Sequence, residues 1–213
     1  MISTLKIKKA IFKVIKLSFE IINRSIFFFI LPNILFYYER HFLYRLRQSW
    51  GRAILLKVRN VGSNVKFHGY STLIRPDLLK IGSNVRIGNN CYLFCIGGID
   101  IGDNCQISRD VTIYASNHNF EGTAIPYDLS YRPNLQKVII GKSVWIGMGA
   151  SILPGVTVGD GAIIGMGAII TKDVPPGAIV VGAPQRVVKY RNMDRFKSLD
   201  INGQWFGKLY PNS

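Results

Sequence analysis

The chain holds three histidines, His41, His68 and His118, and imidazole is the side chain best suited to move a proton near neutral pH. His118 stands in the segment SNHNF, where a regular repeat of the sequence breaks off. That place, at the start of an excursion from a repeating body, suits a general base that takes a proton from an attacking hydroxyl. A lone histidine is more often a structural hydrogen-bonding group, and His41 and His68 keep that reading. The three cysteines, Cys91, Cys95 and Cys105, show neither paired C-x-x-C spacing nor a neighbouring histidine cluster. A metal site is therefore not expected, and the thiols read as reduced and mostly buried.

The elements that must position His118 follow from periodicity. VGSNVKF at 61, IGSNVRI at 81 and IGDNCQI at 101 repeat at an interval of 20 residues. Within each unit a large apolar residue recurs every six positions: Val61, Phe67, Leu73; Ile81, Ile87, Leu93; Ile101, Ile107, Ile113. A step of eight then starts the next unit, which implies a small bulge. After an irregular stretch the beat resumes without the bulge at Ile140, Ile146, Ile152, Val158, Ile164 and Ile170, each preceded two positions earlier by a smaller apolar residue from Val138 to Ala168. Plain alternation fails, because Lys142, Pro154, Asp160 and Lys172 stand two positions further on. A helical period fails too, since glycine recurs through the same stretch and costs a helix interior about 1 kcal/mol each.

A period of six builds a triangular coil. Three short strands, each ending in a turn that glycine, asparagine or aspartate enters at positive φ, return the chain above its start, where it bonds to the coil beneath. The large apolar residues fill the prism, and such a solenoid needs caps at both ends. The expected organisation is a basic amphipathic arm over 1–58, the coils over 59–190 with an excursion over 114–137, and a tail over 191–213.

The arm carries twelve Lys/Arg against Glu20 and Glu39 within residues 1–59, most of the net charge of +15. Ile7, Ile11, Val14, Ile15 and Ile22 fall at helical spacing, with Lys6, Lys9, Lys13 and Lys16 largely off that stripe. A cationic amphipathic helix of this kind suits an anionic membrane surface, and the density of apolar residues argues against a nucleic-acid tail. The uncharged run 25–38 contains Pro32 and Asn33 and falls short of the ~20 residues that span a bilayer. It reads as interfacial or re-entrant rather than as a removable signal. The bland alternative packs the arm against its own domain or a symmetry mate.

From Val138 to Lys189 the chain reads VIIGKSVWIGMGASILPGVTVGDGAIIGMGAIITKDVPPGAIVVGAPQRVVK. With VWIG, LPGV, TKDVPP and VGAP in order, residues 60 to 190 closely resemble the hexapeptide-repeat acetyltransferases that modify maltose, galactosides, xenobiotics and bacterial polysaccharides. The resemblance implies a left-handed parallel β-helix solenoid with an extended catalytic loop, and with the short N-terminal helical arm read above the expected fold class is all-β. It further implies a homotrimer, acetyl-CoA as donor and active sites between neighbouring subunits. The left hand runs against the usual crossover rule and rests on the resemblance alone.

The same resemblance assigns roles. His118 matches the catalytic base, and the backbone N–H of Met148 matches the oxyanion donor, a role independent of its side chain. Trp145 and Gly147 line the pantetheine channel, with Ala168 offering backbone contacts; Thr171, Lys172 and Arg186 match the holders of the coenzyme phosphates, where cations make physical sense. Trp145 reads equally well as a packing residue, and each cation as an ordinary surface charge. Asn90 matches an acceptor-contacting asparagine.

The 20-residue step adds an inference from this sequence itself. It carries Leu78 to Gly98 and on to His118, so the corners of two coils are expected beneath the histidine's loop. Asp77, Asp100, Asn117, Tyr127, Tyr131 and Arg132 are then the expected contacts of a glycan acceptor, a bacterial surface polysaccharide or its lipid-linked precursor. Together with the arm this places the chain in the cytoplasm, peripheral on the inner membrane. The alternatives are a non-catalytic scaffold on the same coils and an enzyme for a small free acceptor, sugar or xenobiotic. A γ-type carbonic anhydrase would need three converging histidines, whereas only His68 and His118 lie in the repeats. Serine acetyltransferases carry a larger helical domain, and sugar-nucleotide N-acetyltransferases usually begin with a βαβ domain not visible here.

Overall fold

A computed structural model of the chain describes residues 4–25, 27, 30–119 and 135–210. It divides into two compact units, Met1–Leu46 and Arg47–Ser213. The first unit is helical. Helix α1 spans Thr4–Ser25, with Arg24 in its last turn, where a cation complements the helix dipole. Helix α2 spans Leu31–Tyr37 and places Pro32 in its first turn, where no backbone N–H is needed. A π-helical segment, Tyr38–Leu43, leads into α3, Tyr44–Leu55. Among the described residues no helix is long and apolar enough to cross a membrane.

The second unit is a triangular parallel β-solenoid. The first face stacks Asn60–Val61, Leu79–Ile81, Ile99–Ile101, Val138–Ile140 and Thr157–Val158. The second stacks Lys66–Phe67, Arg86–Ile87, Gln106–Ile107, Trp145–Ile146, Ile163–Ile164 and Ala178–Val181, closed by an antiparallel strand, Arg186–Tyr190. The third stacks Thr72–Ile74, Tyr92–Phe94, Thr112–Tyr114, Ser151–Ile152 and Ile169–Ile170. The ladder pairs residues 20 apart in the lower coils, as in Ile87 with Ile107, and 18 apart in the upper ones, as in Ile146 with Ile164. The step of 18 is three hexads and the step of 20 adds the bulge that the sequence spacing predicts.

Every large apolar position of the beat from Ile81 to Ile170 is buried, as are the smaller residues from Val138 to Ala168. Fully burying one such isoleucine contributes roughly 1.5–3 kcal/mol, so the inward column accounts for most of the fold's cohesion. In the first coil Val61 and Leu73 are only partly buried, and Ile54 and Leu55 of α3 pack against the core there. Gly51 lets the helix touch the backbone of Phe67, because a β-carbon at this position would collide with the Phe67 carbonyl. The corners are stitched as well. Asn64, Asn84 and Asn104 all adopt positive φ, and their amides form a ladder, Asn64 Nδ2 donating to Asn84 Oδ1 at 2.9 Å and Asn84 Nδ2 to Asn104 Oδ1 at 3.0 Å.

The excursion leaves the corner between the third and first faces. Ser116 and Leu135 form an antiparallel bridge that pinches its base, and Val138 resumes the ladder opposite Ile99. The insertion breaks residue-by-residue equivalence: the position above Gly98 is Lys137, not His118. The corner itself is as expected, since Arg75–Leu78 and Cys95–Gly98 lie beneath the excursion at the same edge.

The tail does more than close the top coil. Helix α4, Met193–Ile201, is capped by the Asn192 side chain accepting from the Arg195 N–H at 2.9 Å. Helix α5, Phe206–Leu209, ends against the second coil, where the Gly207 carbonyl accepts from Arg86 Nη2 at 3.1 Å and Asn64 Nδ2 at 3.0 Å. The tail therefore runs back down the second face.

Candidate functional site

His118 is half-buried, four residues beyond the third-face strand Thr112–Tyr114. Its backbone N–H donates to Asn117 Oδ1 at 2.9 Å, so the Asn117 side chain fixes the turn that carries it. Beside this turn lies a cavity of about 250 Å³ lined by Tyr114, Ser116, Asn117, Ser151, Leu153 and Pro154, among others. Ser116 is buried, and no hydrogen bond from its Oγ is found among the described residues. The sequence reading missed it, and only its adjacency to Asn117 could have marked it.

Two coil steps higher on the same edge stand Thr171 and Lys172. The register carries Tyr114 to Leu153 and Leu153 to Thr171, about 10 Å along the axis at the usual strand spacing. Both backbone N–H groups of the Thr171–Lys172 turn donate to Gln185 Oε1, at 2.6 and 2.9 Å. Gln185 sits beside Arg186, which opens the last strand opposite Val181. The structure thus brings Thr171, Lys172 and Arg186 to one end of the solenoid, all exposed, through a glutamine that sequence reasoning did not single out.

Met148 and Trp145 lie elsewhere. Trp145 points outward on the second face, 52% exposed, between Gln106 and Ile163 in the ladder. Met148 occupies the following turn, between the second and third faces. Its carbonyl accepts from the Gly167 N–H at 2.9 Å, while its own N–H has no acceptor among the described residues, as an oxyanion donor requires. Gly147 has no room for a side chain, since a β-carbon would come within 2.6 Å of the Met166 nitrogen. Ala168 turns its methyl into the core, and its carbonyl is engaged by the Ser151 N–H at 2.9 Å. Asn90 adopts positive φ at the same edge as Met148, two coils lower. Its Nδ2 donates to Asp110 Oδ1 at 2.8 Å, and that bond, with Arg109 beside it, holds the Asp110 carboxyl below the usual carboxylate range.

The candidates therefore fall into two groups at opposite edges of the third face. His118, Thr171 and Lys172 share one edge; Met148 and Asn90 share the other, with Trp145 on the face beyond. Asp77 is paired with Arg75 at 2.7 Å, and Asp100 with Lys137, so both carboxylates already have cationic partners. Tyr127, Tyr131 and Arg132 lie outside the described residues. No group of three His, Cys, Asp or Glu side chains that could hold a metal occurs among the described residues.

Residues 137–172 match the family model described as bacterial transferase hexapeptide (six repeats), and residues 79–115 match the hexapeptide repeat of succinyl-transferase. The chain is 46% identical over 127 residues to nodulation protein L of Rhizobium meliloti, covering 56% of this chain and 67% of that protein. It is 38% identical over 130 residues to the galactoside O-acetyltransferase of Escherichia coli, covering 57% and 61%. A putative acetyltransferase of Saccharomyces cerevisiae is 31% identical over 166 residues, covering 63% and 83%. Among solved structures, a galactoside acetyltransferase in complex with coenzyme A superposes with a TM-score of 0.60 at 31% identity, covering 68% of this chain and 71% of that one.

Proposed function

From its place in the hexapeptide-repeat acetyltransferase family, to which this chain belongs, we propose that it moves an acetyl group from acetyl-CoA to a hydroxyl of a glycan. The observation that carries this reading is the arrangement around the third face: a histidine at one edge, held by Asn117, and on the other a turn at Met148 whose N–H has no acceptor among the described residues. His118 takes the acceptor proton as the hydroxyl oxygen attacks the thioester carbonyl, the Met148 N–H stabilises the oxyanion, and the thiolate leaves and is protonated. The cations of Lys172 and Arg186, with Thr171 beside them, suit the coenzyme phosphates.

Base and oxyanion donor stand at opposite edges in one chain. A working site then pairs His118 of one copy with Met148 of the next, which supports a homotrimer with shared sites. The acceptor is a bacterial surface polysaccharide or its lipid-linked precursor, and the arm docks the enzyme on the cytoplasmic face of the inner membrane. Its exposed apolar residues, Phe12, Ile15 and Phe19 among them, accompany the lysines that would meet anionic headgroups.

The test is labelled acetyl-CoA with a panel of lipid-linked glycans, free sugars and a free xenobiotic alcohol. Label is expected on the lipid-linked glycans at a kcat/KM well above that of the free acceptors. Transfer to no acceptor by a protein that binds acetyl-CoA would leave a non-catalytic scaffold as the better account.

A further inference from the structure

The second face carries a cavity that the reaction outlined above does not use. It has a volume of about 450 Å³ and is lined by His68, Arg86, Gln106, Ser108, Trp145 and Phe206 together with Gly88 and Ile107. The ladder builds it. Arg86, Gln106 and Trp145 follow one another outward on consecutive coils, and α5 of the tail supplies Phe206 as the outer wall.

Its electrostatics are one-sided. Arg86 is 3% exposed, and each acceptor it reaches is neutral: the Asn64 carbonyl at 2.7 Å, Asn64 Oδ1 at 3.3 Å, the Val85 carbonyl at 3.4 Å and the Gly207 carbonyl at 3.1 Å. Among the described residues no acidic side chain lines the cavity. Arg86 Nε and Gln106 Nε2 are buried without a hydrogen-bond partner among the described residues. A buried guanidinium with no counter-charge, and two donor nitrogens with no partner, among the described residues are costly unless something supplies negative oxygen. Burial, and the positive charges of Arg86 and Lys66, hold the His68 imidazole below its ordinary range, as a cationic surrounding would.

We propose that this cavity is an anion subsite that takes a carboxylate or phosphate group of the acceptor glycan. The occupant is not a coenzyme phosphate: Arg86 lies three coil steps below the level of Thr171 and Lys172, about 14 Å along the axis. Trp145 forms the upper wall, so an acidic sugar bound here reaches upward toward the Met148 turn. Naming the ligand as acceptor rests on the glycan-acetyltransfer reading; the anion site itself does not.

Calorimetric titration of the full chain with D-glucuronate, inorganic phosphate and D-glucose tests it. Saturable binding of glucuronate or phosphate is expected, with none of glucose, and the stronger of the two anions identifies the group. His68→Ala and Gln106→Leu leave the Arg86–Gly207 contact in place and should each weaken the anion by about tenfold, the size of one charge-assisted hydrogen bond, with acetyl-CoA binding unchanged. Absence of saturable anion binding, an affinity indifferent to both variants, or displacement of the anion by coenzyme A overturns the proposal. Equal kcat/KM for acidic and neutral forms of the same glycan overturns the assignment to the acceptor. Transfer to no glycan, with the anion affinities as expected, counts instead against the acetyltransfer reading and leaves the anion site standing.

Discussion

Gln185 grips Lys172 from both sides, its Oε1 accepting the Lys172 N–H at 2.9 Å while its Nε2 donates to the Lys172 carbonyl at 2.9 Å. With the Thr171 N–H donating to the same Oε1 at 2.6 Å, one side chain orders the whole turn from which the Lys172 ammonium projects. Gln185→Ala removes three hydrogen bonds that each contribute about 1 kcal/mol, and the exposed turn recovers part of that from water. The Michaelis constant for acetyl-CoA is expected to rise about tenfold with turnover at saturation within about twofold, the pattern of lost uniform binding. Steady-state kinetics decide it, and a loss confined to kcat would remove Gln185 from coenzyme binding.

The solenoid was legible because its interior demands one large apolar residue every six positions, and the column from Ile81 to Ile170 supplies it without a gap. The place of His118, just past a third-face strand, was legible because it stands where that demand lapses. Partners distant in sequence left no periodic trace. Neither the Gln185 clamp nor the docking of Gly207 on Arg86 follows from local spacing, because both join the tail to coils far behind it. The 20-residue step failed above Gly98 for a related reason: the excursion inserts chain between Ala115 and Gln136, whose N–H donates to the Ala115 carbonyl at 3.0 Å.

The cysteines yield a prediction with a definite sign. Burial pushes the Cys91 thiol up to about 11 and the Cys95 and Cys105 thiols up to about 12, from an ordinary value of 9.0. The folded thiols therefore hold their protons above the pH at which unfolded ones lose them. Their contribution to stability is complete below about pH 9 and is lost as pH rises toward about 12. At pH 8 roughly one thiol in a thousand or fewer is ionised, so iodoacetamide should leave the native chain unmodified and alkylate three cysteines once it is denatured. Rapid labelling of the folded protein would contradict the burial.

The arm is expected to bind anionic vesicles in a salt-dependent manner. Replacing Lys6, Lys9, Lys13 and Lys16 together with glutamate reverses the charge of α1 while leaving its apolar residues in place. At about 1 kcal/mol per basic residue near an anionic surface, co-sedimentation with phosphatidylserine vesicles should fall by more than tenfold and lose its salt dependence. Equal binding by both chains would detach the arm from the membrane.

His118→Ala is expected to abolish transfer while sparing the fold and the donor site. The residue lies outside the inward column, so the coils keep their packing. Thr171, Lys172 and Arg186 stand at the far end of the solenoid and do not depend on it. What is lost is the group that removes the proton as the acceptor oxygen attacks, a contribution typically of about 10² to 10⁴ in rate. His118→Asn should fail similarly, since an amide at the same place offers hydrogen bonds but no base at neutral pH. The measurement is kcat for acetyl transfer by variants whose circular dichroism and acetyl-CoA affinity match the parent. Turnover within about tenfold of the parent would mean that another group takes the proton and that His118 only orients the loop.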